Sequence, residues 1–150
     1  MRWLILLLLL SVSTVPAQAG QLSVTAPWVR EVPPVSRHSA GYMTVVNAGA
    51  QSRELVAVHS PLFGSAELHE SMEERGMARM QHVAKIVIPA GGEVSLEPGG
   101  YHVMLMNRNV DQLASGDSVP LMLRFDDGTE IEVTAPVRRD APDGGAHHHH

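Results

Sequence analysis

Apolar and polar positions alternate with a period of two along most of this chain, and Gly, Pro, Asn and Asp cut the alternation at short intervals. Leu22 to Arg30 alternates and then meets the break Glu31-Val32-Pro33-Pro34. Gly41 to Asn47 is rich in β-branched residues and closes on Asn47-Ala48-Gly49, a turn signal. Glu54 to His59 stops short of Pro61, Ser65 to Ser71 is a further short run, and Met77 to Ile88 continues to Pro89-Ala90-Gly91-Gly92. Glu93 to Leu96 precedes Pro98-Gly99-Gly100. Tyr101 to Met106, Val119 to Phe125 and Thr129 to Thr134 follow, the last two joined by Asp126-Asp127-Gly128. About nine short strands at this spacing predict an all-β fold, a β-sandwich or Greek-key barrel. The helical candidate is the stretch from Asn107 to Ala114.

The two ends of the chain break this pattern. Met1-Arg2 is a short positive start, Trp3 to Leu10 is unbroken apolar, and Ala17-Gln18-Ala19 supplies a small-x-small cleavage pattern. Residues 1–19 therefore read as a signal peptide cleaved before Gly20. The apolar run is much shorter than the ~20 residues a spanning helix needs, so export to the periplasm with no membrane insertion after cleavage is expected. Residues 20–137 read as one domain. Residues 138–150 form a polar, Gly- and Pro-containing tail that ends in four histidines and is expected to be disordered.

Charge narrows the partners. Without Arg2 the chain keeps ten basic against sixteen acidic residues, a net of −6, which argues against nucleic acid or an anionic membrane as the main partner. There is no cysteine, hence no disulfide and no thiolate for a metal or a substrate. Nothing reads as a Gly-x-Ser-x-Gly elbow, a haem attachment sequence or a phosphate-binding glycine loop, so an enzyme is not expected. Eight methionines against two Trp, two Tyr and two Phe are more than packing alone asks for.

The chemistry gathers on two segments. In Gly99-Gly100-Tyr101-His102-Val103-Met104-Leu105-Met106, strand geometry sends His102, Met104 and Met106 to one face and Val103 and Leu105 to the other. Taken alone, that stretch is better explained by packing methionines and a surface histidine. His69, in Ala66-Glu67-Leu68-His69-Glu70, lies eleven positions before Met80, which lies twenty-two before His102. His-x10-Met-x21-His-x-Met thus crosses three strands, and chance supplies such a set from some histidine about once in a thousand.

This pattern, at His69, Met80, His102 and Met104, resembles the periplasmic copper chaperones of the CuA-assembly (PCuAC) type. Similar too are Pro27-Trp28-Val29-Arg30, Gly41-Tyr42-Met43-Thr44-Val45-Val46-Asn47, Ile88-Pro89-Ala90-Gly91-Gly92, Pro98-Gly99-Gly100-Tyr101-His102 and Leu123-Arg124-Phe125-Asp126-Asp127-Gly128. The resemblance covers about residues 22–137. It implies a cupredoxin-like Greek-key sandwich with an exposed site for one Cu(I), held by those two histidines and two methionines. It also implies delivery to the CuA centre in subunit II of cytochrome c oxidase; whether a thiol-based copper assembly factor works beside it is left open by the sequence.

Donor chemistry agrees with the resemblance. Imidazole and thioether are borderline and soft donors that select Cu(I), whereas zinc sites recruit thiolate or carboxylate and calcium or magnesium require oxygen. Without a cysteine the blue-copper electron-transfer site cannot form. Around the four, His82 is the reserve ligand, Met106 is a neighbour or packing residue, and Glu67 and Glu70 read equally as partners that orient the His69 ring or as a solvated face. Met72 and Met77 read as loop and packing residues, with contact to an incoming ion as the alternative, Met43 and Met122 as core, and His38 and His59 as ordinary surface or satisfied histidines. His147, His148, His149 and His150 read either as a tag remnant or as a native site for Cu(II). Two other functions fit the chain: a copper buffer or resistance protein using the same residues, and a metal-free sandwich scaffold.

Overall fold

The computed structural model describes residues 21–140; the expected signal peptide, its cleavage before Gly20 and the run His147 to His150 lie outside the described residues. Ten strands are present: β1 Leu22–Arg30, β2 Ser39–Asn47, β3 Arg53–His59, β4 Phe63–Glu74, β5 Met77–His82, β6 Ile86–Ile88, β7 Gly92–Leu96, β8 Tyr101–Arg108, β9 Ser118–Phe125 and β10 Glu130–Arg138. No helix occurs among the described residues, so the fold is all-β.

The strands pair in the order β5-β4-β8-β2-β1-β10-β9-β3-β6, with β7 laid against β2 off this path. β8 sits between β4 and β2, and β9 between β10 and β3, so sheet neighbours are often distant in sequence, as in Greek-key folds. β1 and β10 pair in parallel, with Val29 opposite Val137, and they join the β5-β4-β8-β2 half to the β9-β3-β6 half. Val29, Val45, Leu55, Leu105, Leu121 and Phe125 belong to one apolar core drawn from both halves. Each such side chain contributes about 1.5–3 kcal/mol on burial.

The ten strands differ from the expected nine at one place. The apolar run Met77 to Ile88 is two strands, because β5 pairs with β4 while β6 pairs with β3. The chain crosses from one half to the other at Val83 to Lys85. Val83 N–H still donates to Leu68 O at 2.9 Å, and Lys85 Nζ reaches Glu54 Oε1 at 2.6 Å. Such a crossing serves long-range pairing and leaves no mark in local periodicity.

The stretch expected as a helix forms the end of β8 and a loop. Arg108 is buried, and its guanidinium donates to the carbonyls of Val110, Pro34 and Asp111 at 2.9, 2.7 and 2.7 Å. Those bonds clamp the loop and replace helical hydrogen bonds. Leu113 then turns into the core. Met122 is also not where apolar patterning puts it: Leu121 and Leu123 face inward and Met122 lies half-buried on the outer face, opposite His59. Met43 is in the core, as expected. β10 continues through Arg138, and Arg139 Nε pairs with Glu31 Oε2 at 2.8 Å.

Candidate metal centre

Two turns set the register of the residues singled out above. Glu74 pairs with Met77 around Arg75 and Gly76, whose φ values of 54° and 75° make a two-residue hairpin turn of type I′ form. That register puts Met80 opposite Ser71 and His82 opposite His69. The second turn is Glu97-Pro98-Gly99-Gly100, closed by Gly100 N–H to Glu97 O at 3.0 Å, with Gly99 at φ 90°. Proline followed by a positive-φ glycine gives it type II form. It delivers the chain into β8 so that His102 lies opposite His69 and Met104 opposite Glu67.

Paired residues in a sheet share a face, as do residues two apart on one strand. His69 and Glu67 on β4, Met80 and His82 on β5, and His102, Met104 and Met106 on β8 therefore project from the same side of the sheet. The ring of His69 lies 5.8 Å from that of His102 and 5.8 Å from that of His82, centroid to centroid. Met106 lies one pairing step beyond Met104, opposite Ser65. A cleft of about 230 Å³ opens on this face, lined by Met80, His102, Met104, Ser71, Tyr42 and Arg30, with His38 at its edge.

The two imidazoles are held in complementary ways. His102 is buried, and its Nδ1 lies 3.1 Å from Gly100 O, a carbonyl that also accepts from Ser71 N–H at 3.0 Å. His69 Nε2 lies 2.9 Å from a carboxylate oxygen of Glu67. Carbonyl and carboxylate oxygens accept hydrogen bonds, so in each ring the bonded nitrogen carries the proton. The remaining nitrogens, His69 Nδ1 and His102 Nε2, are buried and have no hydrogen-bond partner. A buried unpaired acceptor costs about 1–3 kcal/mol. Here there are two on neighbouring strands, each with its lone pair free.

These features suit a soft cation. Among the described residues no three His, Cys, Asp or Glu side chains converge on one point, so a metal on this face would draw its further donors from methionine. Met80 is 54% exposed on the edge strand β5. Met104 is half-buried on β8, beside the cleft. Such a donor set favours Cu(I) over zinc, magnesium or calcium.

Around the four, Glu67 bonds His69 whereas Glu70 bonds Gln81 at 3.4 Å, which separates two carboxylates that flank the same histidine in sequence. Met72 and Met77 are neither loop nor packing residues: they belong to β4 and β5 and are 39% and 58% exposed on the projecting hairpin. His59 is exposed on β3, away from this face. His38 is exposed, as expected, and also lines the cleft. Arg30, which carries no local sequence signal for this site, lines the cleft as well. Its guanidinium carbon packs 5.9 Å from the Trp28 ring and 5.6 Å from the Tyr42 ring, and the Tyr42 ring is 6.4 Å from that of His102. Both depend on the long-range pairing of β2 with β8 and of β1 with β2, for which the sequence carries no local signal.

Comparison with known proteins agrees with this architecture. The profile of the family described as putative lipoprotein LpqE-like matches residues 22–137. A putative lipoprotein of Leifsonia xyli is 33% identical over 129 residues, covering 85% of this chain and 76% of the relative. Among solved structures, the apo PCuAC domain of PmoF1 superposes with a TM-score of 0.68 at 28% identity, over 82% of this chain and 96% of that one. The Cu(I) form of DR1885 from Deinococcus radiodurans gives 0.63 at 36% identity, over 83% and 84%.

Proposed function

The chain belongs to the LpqE-like family and is similar to solved PCuAC domains, and on that premise we propose that it is a copper chaperone carrying one Cu(I) on His69, Met80, His102 and Met104. The observation that carries this reading is the pair of buried, unpartnered imidazole nitrogens, His69 Nδ1 and His102 Nε2, on a face that also bears Met80 and Met104. The DR1885 structure, with Cu(I) bound in a similar domain, supports copper as the cargo.

All four donors are neutral, so they favour the +1 ion and hold it less permanently than thiolates. Their exposure differs in a way that suits handover. Met80 stands 54% exposed on the edge strand while His102 is 3% exposed. An acceptor's donor atoms can therefore replace Met80 first and His102 last, and the ion exchanges one bond at a time without being set free.

In this reading the protein works in the periplasm after removal of residues 1–19. It delivers copper to the CuA centre in subunit II of cytochrome c oxidase, with a thiol-based assembly factor as a further partner. The His147 to His150 run would add a Cu(II) site if it is native. A deletion strain tests the destination. Loss of oxidase activity under low copper, restored by added copper, is the expected result. Copper sensitivity with normal oxidase activity would instead assign buffering or resistance.

A further inference from the structure

We propose that Glu67 is a positioning residue that selects the nitrogen His69 offers to copper, so that the site uses two different imidazole tautomers: His69 through Nδ1 and His102 through Nε2. The proposal rests on the copper reading above and specifies the atoms within it.

The argument starts from the acceptors. The Glu67 carboxylate lies 2.9 Å from His69 Nε2 and can only accept, so it holds the proton on Nε2 and leaves the lone pair on Nδ1. The Gly100 carbonyl lies 3.1 Å from His102 Nδ1 and does the reverse. The two nitrogens so freed are the two that are buried without a partner.

Strand geometry makes Glu67 suited to the task. It lies two residues before His69 on β4, hence on the same face, and it stands opposite Met104 in the ladder. Its side chain is 44% exposed and that of His69 is 16% exposed, so the carboxylate reaches in from the rim to hold a ring whose other edge is covered. Glu70, the other carboxylate near His69, lies on the opposite face and bonds Gln81. A carboxylate behind a ligating imidazole fixes its orientation and strengthens it as a donor, and losing such a partner typically weakens metal binding by roughly 10- to 100-fold.

Long-range proton–nitrogen NMR of the nitrogen-15-labelled protein tests this without copper. The expected result is the Nε2–H tautomer at His69 and the Nδ1–H tautomer at His102. On adding Cu(I), the nitrogen shifts should move most at His69 Nδ1 and His102 Nε2. Glu67→Ala should let the His69 tautomers mix and weaken Cu(I) binding by roughly 10- to 100-fold with the amide spectrum otherwise kept, while Glu67→Gln, which retains an acceptor oxygen, should restore most of both. An Nδ1–H tautomer at His69, a copper-dependent shift larger at its Nε2 than at its Nδ1, or an unchanged tautomer in Glu67→Ala would overturn the proposal and leave the copper site standing. Copper that moves neither histidine would overturn both.

Discussion

His69 and His102 stand opposite each other in the β4–β8 ladder with ring centroids 5.8 Å apart, and each keeps one nitrogen hydrogen-bonded and the other buried without a partner. A fold selected for stability alone would pair or remove such nitrogens, since each costs about 1–3 kcal/mol. Two such lone pairs on adjacent strands are available to a soft cation.

The first expectation concerns His102. Replacing it by leucine removes an unsatisfied buried acceptor, and Gly100 O keeps its bond from Ser71 N–H. His102→Leu should therefore leave the metal-free protein equally stable or up to about 1 kcal/mol more stable. Cu(I) affinity should drop by at least about 100-fold. Thermal unfolding and a competition titration read the two effects; a loss of more than about 2 kcal/mol would mean that the imidazole serves the fold.

The methionines should behave differently from core residues. Met80 is exposed and Met104 half-buried, so Met80→Ala combined with Met104→Ala should keep the native circular dichroism spectrum. Tight one-to-one Cu(I) binding should vanish in the double variant. Its persistence against a Cu(I) chelator would show that the thioethers are not donors.

Much of this site is legible in the sequence because a strand repeats every two residues. His102, Val103, Met104 and Leu105 alternate as expected, with Val103 and Leu105 fully buried. The turns at Arg75-Gly76 and Pro98-Gly99-Gly100 are also local, and they fix where Met80 and His102 come to lie. Failures occur where distant parts of the chain decide. The crossing at Val83 to Lys85, the outward turn of Met122 and the presence of His38 and Arg30 at the cleft all depend on which strands pair. His102 is buried beside Tyr42, which the alternation at β8 alone does not convey. Glu67 and Glu70 were equivalent neighbours of His69 until strand direction separated them.

The hairpin turn offers a test that links fold to site. Gly76 has φ 75°, where a β-branched side chain is strained by about 1–2 kcal/mol. Gly76→Val should lower stability by about that amount and loosen the β4–β5 register that carries Met80, weakening Cu(I) binding. Unchanged stability and affinity together would show that the turn does not set the register.

Acid stability has a source away from the site. Thr129 N–H donates to Asp127 Oδ1 at 3.0 Å, and Arg53 Nε pairs with Asp127 Oδ2 at 3.1 Å. The Thr129 bond chiefly, with the Arg53 charge adding to it, holds the Asp127 carboxyl below its usual range. A group with a depressed folded value stabilises fully above its unfolded value, near about 4, and loses that contribution as pH falls through the folded one. The thermal midpoint should therefore drop more steeply from about pH 5 to about pH 3 in the parent protein than in Asp127→Asn. Parallel curves would remove Asp127 from the account.

The central claim is the donor set, and X-ray absorption on the copper-loaded protein reads it most directly. Two nitrogen and two sulfur neighbours around a Cu(I) ion, with both sulfurs lost in the Met80→Ala, Met104→Ala double variant, is the predicted result. A first shell of nitrogen and oxygen without sulfur would contradict it.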